Sequence, residues 1–392
     1  MNQQAYVSST RHVLDDAAIR DNLGLLNELS GTWDGEGFSL IARPDFRDKA
    51  NLYLQLNQTC ETLTIMPIES AIPNRGFGQD DIELFGLSYL QKIVDQDTEG
   101  CLHVEPGVWI TQPPTTYPLQ NPPPGDQIIA RMASIPHGSA MLAQGTLSHF
   151  TGPPTLKPQG SIEKYNGSRF PSFNSTPFRA DGPVINADGS SEKETARHKS
   201  AEAFDQYDLS IYASADNPRT PFATSPPEPQ LPPDIEGVPT QEVINDPIRL
   251  LQAVIKKQEA DGCTFGGWAL NIATQAPVTF RVYADSPSTG PTVNVWLNGA
   301  AGGIENILFL EGGEPTGDQG PNAKAGLVYA TFWIEQVTPK NDAPFMQLQY
   351  AQMAVLNFGV YKLLHPSAEG TPDLVKLGWP HISVATLQKK PS

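Results

Sequence analysis

The stretch Leu29-Ser30-Gly31-Thr32-Trp33-Asp34-Gly35-Glu36-Gly37-Phe38 decides the fold. Three glycines around one tryptophan, on what reads as a first strand, mean tight bends and close backbone approach. Gly-x-Trp openings of this kind begin up-and-down β-barrels, in which the tryptophan closes one end. The residues after it keep a period of two. Leu52, Leu54 and Leu56 alternate with Tyr53, Gln55 and Asn57, and residues 61–65 repeat the pattern with Leu63 and Ile65. These read as half-buried antiparallel strands. Residues 73–78 read as a loop, and strand character returns over 81–94. Ahead of the opening, Leu14, Ile19, Leu23, Leu25, Leu26 and Leu29 give residues 11–30 a helical stripe, with Asp15 and Asp16 in the first turn. A plain packing helix is preferred here over a plug for the barrel end.

Residues 100–110 form the next strand. His103 and Glu105 share one face of it and Leu102 and Val104 the other. That pair is either a satisfied structural contact or part of a polar site. Residues 127–138 make a strand ending in Pro136-His137-Gly138, and 139–150 make another, with His149 near its end. His137 sits in a sharp corner, as a side chain overhanging a pocket or as an ordinary turn residue.

From 151 to about 243 the composition turns to Pro, Ser, Gly, Asn and Asp, which reads as long loops laid on the body. A helix follows over 246–259, with Asn245 or Asp246 as its cap and Pro247 in its first position. Strands are expected at 278–283, 293–298, 304–309, 325–337 and 345–358. The Gly-rich run 299–303 lacks the Lys-Ser/Thr of a phosphate loop and reads as a hairpin turn. The last strand, Leu377-Gly378-Trp379-Pro380-His381-Ile382-Ser383-Val384-Ala385-Thr386-Leu387, carries His381, Ser383, Ala385 and Leu387 on one face. The expected organisation is a helical segment at 1–27, the first part of a barrel at 28–150, a loop-rich insertion at 151–245, and a helix plus closing strands at 246–392.

The totals restrict the function. A chain of 392 residues with net charge -17 and no long basic run disfavours nucleic acid and anionic membrane as partners. Cys60, Cys101 and Cys263 have no zinc-finger spacing, and an odd count of scattered thiols suggests a reducing, cytoplasmic setting. No apolar run reaches transmembrane length. No Gly-x-Ser-x-Gly elbow is present.

Taken together, the two ends of the chain resemble the nitrobindin family of heme-binding β-barrels, related in shape to lipocalins. The matching residues are 29–37 at the opening, 102–109 and 128–146 in the middle, and 348–354 and 379–387 at the close. The chain also resembles larger bacterial and fungal heme-binding proteins. The resemblance implies a mainly β, antiparallel up-and-down barrel with a loop-rich insertion and a few helices. It also implies heme b as cofactor and His381 as the axial ligand of its iron; the alternative for His381 is a hydrogen-bonded strand histidine. The segment between Phe150 and about Ala325 has no counterpart in a small barrel, so the resemblance says nothing of the distal side or of nitric-oxide chemistry.

A heme would need an apolar slot and partners for its propionates. Trp33, Trp109, Trp379, Phe332 and Trp333 are the candidates for the slot, and Arg131, Arg43 or Arg75 for the propionates. His137 and His103 are the candidate distal acid–base residues. The expected activity is peroxidase-like or isomerase chemistry on a small molecule. The alternatives are a non-catalytic heme or gas binder and a lipocalin-like binder of a hydrophobic ligand without metal.

Overall fold

The computed structural model describes residues 16–45, 50–74, 82–112, 128–135, 139–156, 178–179, 247–274, 278–281, 292–295, 303–306, 324–357, 360–362 and 374–391. Ten antiparallel strands close into a barrel, each paired with the next in the chain: β1 (Gly31–Asp45), β2 (Ala50–Pro67), β3 (Ile82–Asp95), β4 (Cys101–Gln112), β5 (Ile128–Ile135), β6 (Ser139–Thr151), β7 (Thr264–Ala273), β8 (Lys324–Thr338), β9 (Phe345–Asn357) and β10 (Leu374–Lys389). β10 pairs back onto β1, with Ile41 opposite His381 and Trp33 opposite Lys389. The barrel expected from the two ends of the chain is therefore present, and its seam joins those ends.

The helical segment differs from expectation. Helix α1 (Asp16–Leu23) runs into a 3-10 turn, Gly24–Leu29, and Ile19, Leu23, Leu26 and Leu29 share one core cluster with Trp33, Leu348, Ala385 and Leu387. It is a plug, because its stripe matches the apolar residues at one end of the barrel interior. Trp33 anchors it: the indole Nε1 donates to Leu29 O at 2.8 Å, satisfying a carbonyl that the end of a helix leaves open. Lys389 lies over the Trp33 ring at 5.4 Å and donates to Glu28 O at 3.0 Å. Gly31 makes the corner between plug and strand at φ +128, where any Cβ would also strike the Lys389 side chain.

Helix α2 (Ile248–Ala260) covers the outside. Ile248, Leu251 and Ile255 pack on Phe38, Phe265, Trp333, Val337, Met353, Ile382 and Val384. β8 is thus buried on both faces, and Ala330, Thr331, Phe332, Trp333, Ile334 and Glu335 are consecutively buried. Three expectations are corrected here. The patterns at 51–57 and 61–65 belong to one strand, β2. A barrel strand, β7, occupies Thr264–Ala273, which the strand pattern did not flag; its Gly266-Gly267 pair breaks the apolar alternation. The strands near 278 and 293 pair with each other as Val278–Arg281 and Thr292–Val295, outside the barrel wall, and Gly303–Asn306 is a short addition to β6. Asn245, Asp246 and most of 151–245 lie outside the described residues. All three cysteines are free thiols.

Candidate functional site

Alternation sends every second side chain inward, and at mid-barrel several of these are polar. Glu105 on β4 is fully buried. It accepts from the Arg131 guanidinium and the Tyr89 hydroxyl, and from His103 Nε2 at 3.2 Å. Arg131 on β5 also donates to Tyr89 Oη at 2.9 Å, Gln352 Oε1 at 2.8 Å and Gln91 Oε1 at 3.4 Å. Its guanidinium lies 5.3 to 5.5 Å from the centroids of Tyr89, Trp109 and Phe332. Burial alone would raise the Glu105 carboxyl; Arg131, with His103 and Tyr89, outweighs it and holds the group down to about 2. Gly107 makes room for this arrangement, since a Cβ there would stand 2.5 Å from the Tyr89 ring.

A second buried carboxyl, Glu61 on β2, has no such cation bonded to it. Gln91 Nε2 donates to Glu61 Oε1 at 2.6 Å and the Tyr350 hydroxyl to Oε2 at 2.6 Å. Burial pushes this group up to about 7 against the pull of those two bonds.

Next to these residues lies a cavity of about 270 Å³. Its polar lining includes Gln91, Tyr350, Gln352, His103, His381, Ser39 and Ser383, and its apolar lining includes Ile41, Ile93, Ile135, Met141, Val328 and Leu356. The two histidines are 278 positions apart in sequence and come to one cavity because β4 and β10 are walls of the same barrel. His381 Nε2 lies 3.1 Å from Ala42 O. A carbonyl only accepts, so that nitrogen carries the hydrogen, and the lone pair of the neutral ring is on Nδ1. The same holds for His103, whose Nε2 faces an ionised carboxylate.

The structure brings His381 and His103 together, with Arg131 near them in the interior. It sets Trp33 apart, at the plugged end. Trp379 is buried on β10, two residues before His381 on the same face. Trp109 and Phe332 meet edge to face at 5.3 Å beside Arg131. Trp333 is corrected: as the neighbour of Phe332 on a strand it points the other way, under α2. Arg131 gives its donors to Glu105, Tyr89, Gln91 and Gln352. Arg43 is half-buried, two positions beyond Ile41 on the same face of β1. His137 and Arg75 lie outside the described residues.

Glu61, Gln91, Tyr350 and Gln352 were not singled out from sequence. Counting by two from Leu63 does reach Glu61, and a carboxylate on an apolar face is the available signal. Its partner Tyr350, 289 positions away, leaves no local trace.

Fold and site together define a closed, plugged ten-stranded barrel with a buried ionic girdle and a two-histidine cavity. No protein-family model matches this chain, and no curated protein matches it. A solved structure described as "Crystal Structure of Rv2717c from M. tuberculosis" is similar at 10% identity, covering 94% of this chain and 98% of that chain with a TM-score of 0.30. That likeness bears on neither the site nor an activity. No helix among the described residues is long and apolar enough to cross a membrane.

Proposed function

We propose that the chain is a heme-binding β-barrel protein in which His381 supplies the axial nitrogen. The observation that carries this is the setting of His381: it lines the interior cavity and its ring is held by a backbone carbonyl. Metal-ligating histidines are oriented in this way by an acceptor on their other nitrogen. Among the described residues no three His, Cys, Asp or Glu gather into a site for a bare metal ion. A porphyrin brings four nitrogens of its own and needs one axial donor, so the donor set fits heme better than zinc. The apolar walls suit a macrocycle. The volume, about 270 Å³, lies just under the ~300 Å³ at which ligand pockets usually begin, so the cavity as it stands would not enclose a whole porphyrin.

Heme, when bound, supplies an iron able to engage small oxidants or gases. The chain's own residues add acid–base capacity. His103 faces the cavity with Nε2–H committed to Glu105, and Glu105 is kept ionised by Arg131 and Tyr89. A histidine so oriented can take or give a proton, which supports peroxidase-like or isomerase chemistry over passive carriage. The small cavity favours one other reading, a binder of a compact hydrophobic molecule without metal.

Titration of hemin into the full-length protein, followed by absorption, tests the proposal. Wild type is expected to develop a histidine-ligated Soret band, and His381→Ala to lose that signature. An identical spectrum from the variant overturns the ligand. No spectral change in wild type leaves the metal-free reading. If the protein turns over peroxide, His103→Ala is expected to slow it by about 10²–10⁴-fold while hemin affinity holds.

A further inference from the structure

Among the described residues, the barrel interior holds two buried carboxyls, Glu61 and Glu105, and one buried guanidinium, that of Arg131, which is bonded to Glu105. Glu61 instead faces two neutral partners, Gln91 from β3 and Tyr350 from β9. Both line the cavity, and Glu61 stands behind them. Gly35 of β1 pairs opposite Glu61 and brings no charge. Among the described residues, the other charged or titratable groups facing this part of the interior are His103 and Glu105 on β4, Tyr89 on β3, Arg131 on β5 and, across the cavity, His381 on β10.

A phenol has one hydrogen. While Glu61 is ionised it only accepts, so the Tyr350 hydrogen is directed at Glu61 Oε2. Once Oε2 carries a proton, that proton can be given to Tyr350 Oη, and the phenol hydrogen is released to turn toward the cavity. The Gln91 amide donates to Oε1 in both states. Only one proton is gained, from solvent, and Tyr350 keeps its own. We propose that the protonation state of Glu61 sets whether Tyr350 presents an acceptor or a donor to the cavity, making Glu61 the specificity-determining residue for a small monoanion with an apolar body.

The ligand class is set by the lining. Among the described lining residues there is no carboxylate; imidazoles, amides and hydroxyls stand against aliphatic walls. Gln352 gives its oxygen to Arg131, so what it offers elsewhere is amide hydrogens. An anion meets donors there, and meets another at Tyr350 only when Glu61 is neutral. Burial places the Glu61 carboxyl at about 7, so both states exist near neutrality. This role for Glu61 goes beyond the heme reading and stands without it, because it is measured on the full-length protein with no heme added.

Benzoate serves as the probe, since its carboxylate stays ionised across the range. Calorimetry at about pH 6 and about pH 8.5 is expected to show wild type binding roughly tenfold or more tightly at the lower pH. Glu61→Gln, locked neutral, is expected to lose most of that dependence, and Tyr350→Phe to bind weakly at both. In a Glu335→Gln background, infrared spectra of protein carrying labelled glutamate carboxyls are expected to show a protonated-acid band that fades as pH rises through neutrality and is missing once Glu61→Gln is added. A wild type without pH dependence, a Glu61→Gln variant that keeps all of it, or no benzoate binding at the lower pH overturns the proposal. So does an infrared band that is absent or unchanged in the variant. If Glu61→Gln does not fold, Tyr350→Phe decides: pH dependence undiminished there overturns it equally.

Discussion

Arg131→Met removes the guanidinium bonded to Glu105 and leaves the buried carboxylate with Tyr89 and His103 as its partners. Breaking a buried pair from one side costs about 3–5 kcal/mol, so chemical denaturation should show a loss of that order. Adding Glu105→Gln should recover part of it, since the stranded charge is then gone. A different carboxyl, Glu335, sits on the outer face of β8 under α2. Gln347 donates to one oxygen at 2.6 Å, and the other has no hydrogen-bond partner among the described residues. Burial pushes Glu335 up to about 8 from its ordinary 4.5, against the pull of Gln347. Through that window the folded state binds more protons than the unfolded chain. Stability therefore falls as pH rises, by up to about 1.4 kcal/mol per pH unit for each such group. Glu61 contributes likewise up to about 7. Glu335→Gln should flatten the fall in melting temperature, most clearly between pH 7 and 8, where the share of Glu61 has ended. The contact of His103 with Glu105 was legible from their spacing because both lie on one strand. Glu61 with Tyr350, and Arg131 with Gln352, were not, because barrel closure alone makes them neighbours.

For single elements, legibility followed the contrast in residue type between the two faces of a strand. The alternation of β2, and of β10 around His381, could be counted because one face differs from the other. β8 is buried on both sides, inward on the barrel core and outward on α2, so its near-continuous apolar run marked a strand without saying which face was which. That is how Trp333 joined Phe332 as a candidate for the heme slot. β7 was missed where two adjacent glycines interrupt its pattern. The amino-terminal helix was recognised, but its role as a plug depends on the far strands it meets. Leu23 is fully buried between α1 and the barrel interior. Leu23→Ala should destabilise the protein by about 2–5 kcal/mol in thermal or denaturant unfolding, the range for a buried leucine lost from a core. A cost near zero would mean that the plug is not packed into the barrel in solution.

For the whole molecule, the two ends of the chain carry the closure. The Gly-Trp opening and the His381 strand are edges of one seam, which is why a likeness confined to the termini and a few middle stretches could anticipate the architecture. The insertion expected at 151–245 falls almost wholly outside the described residues. The barrel puts apolar packing and a plug at one end, an ionic girdle across the middle, and a cavity with two oriented imidazoles beyond it. The claim that this cavity takes a heme through His381 is tested most directly by a crystal structure of the hemin-loaded protein. The account predicts the iron bonded to an imidazole nitrogen of His381, with the porphyrin entering the cavity that His103 also lines. Iron held by any other residue, or a porphyrin outside the barrel with that cavity unchanged, would contradict it.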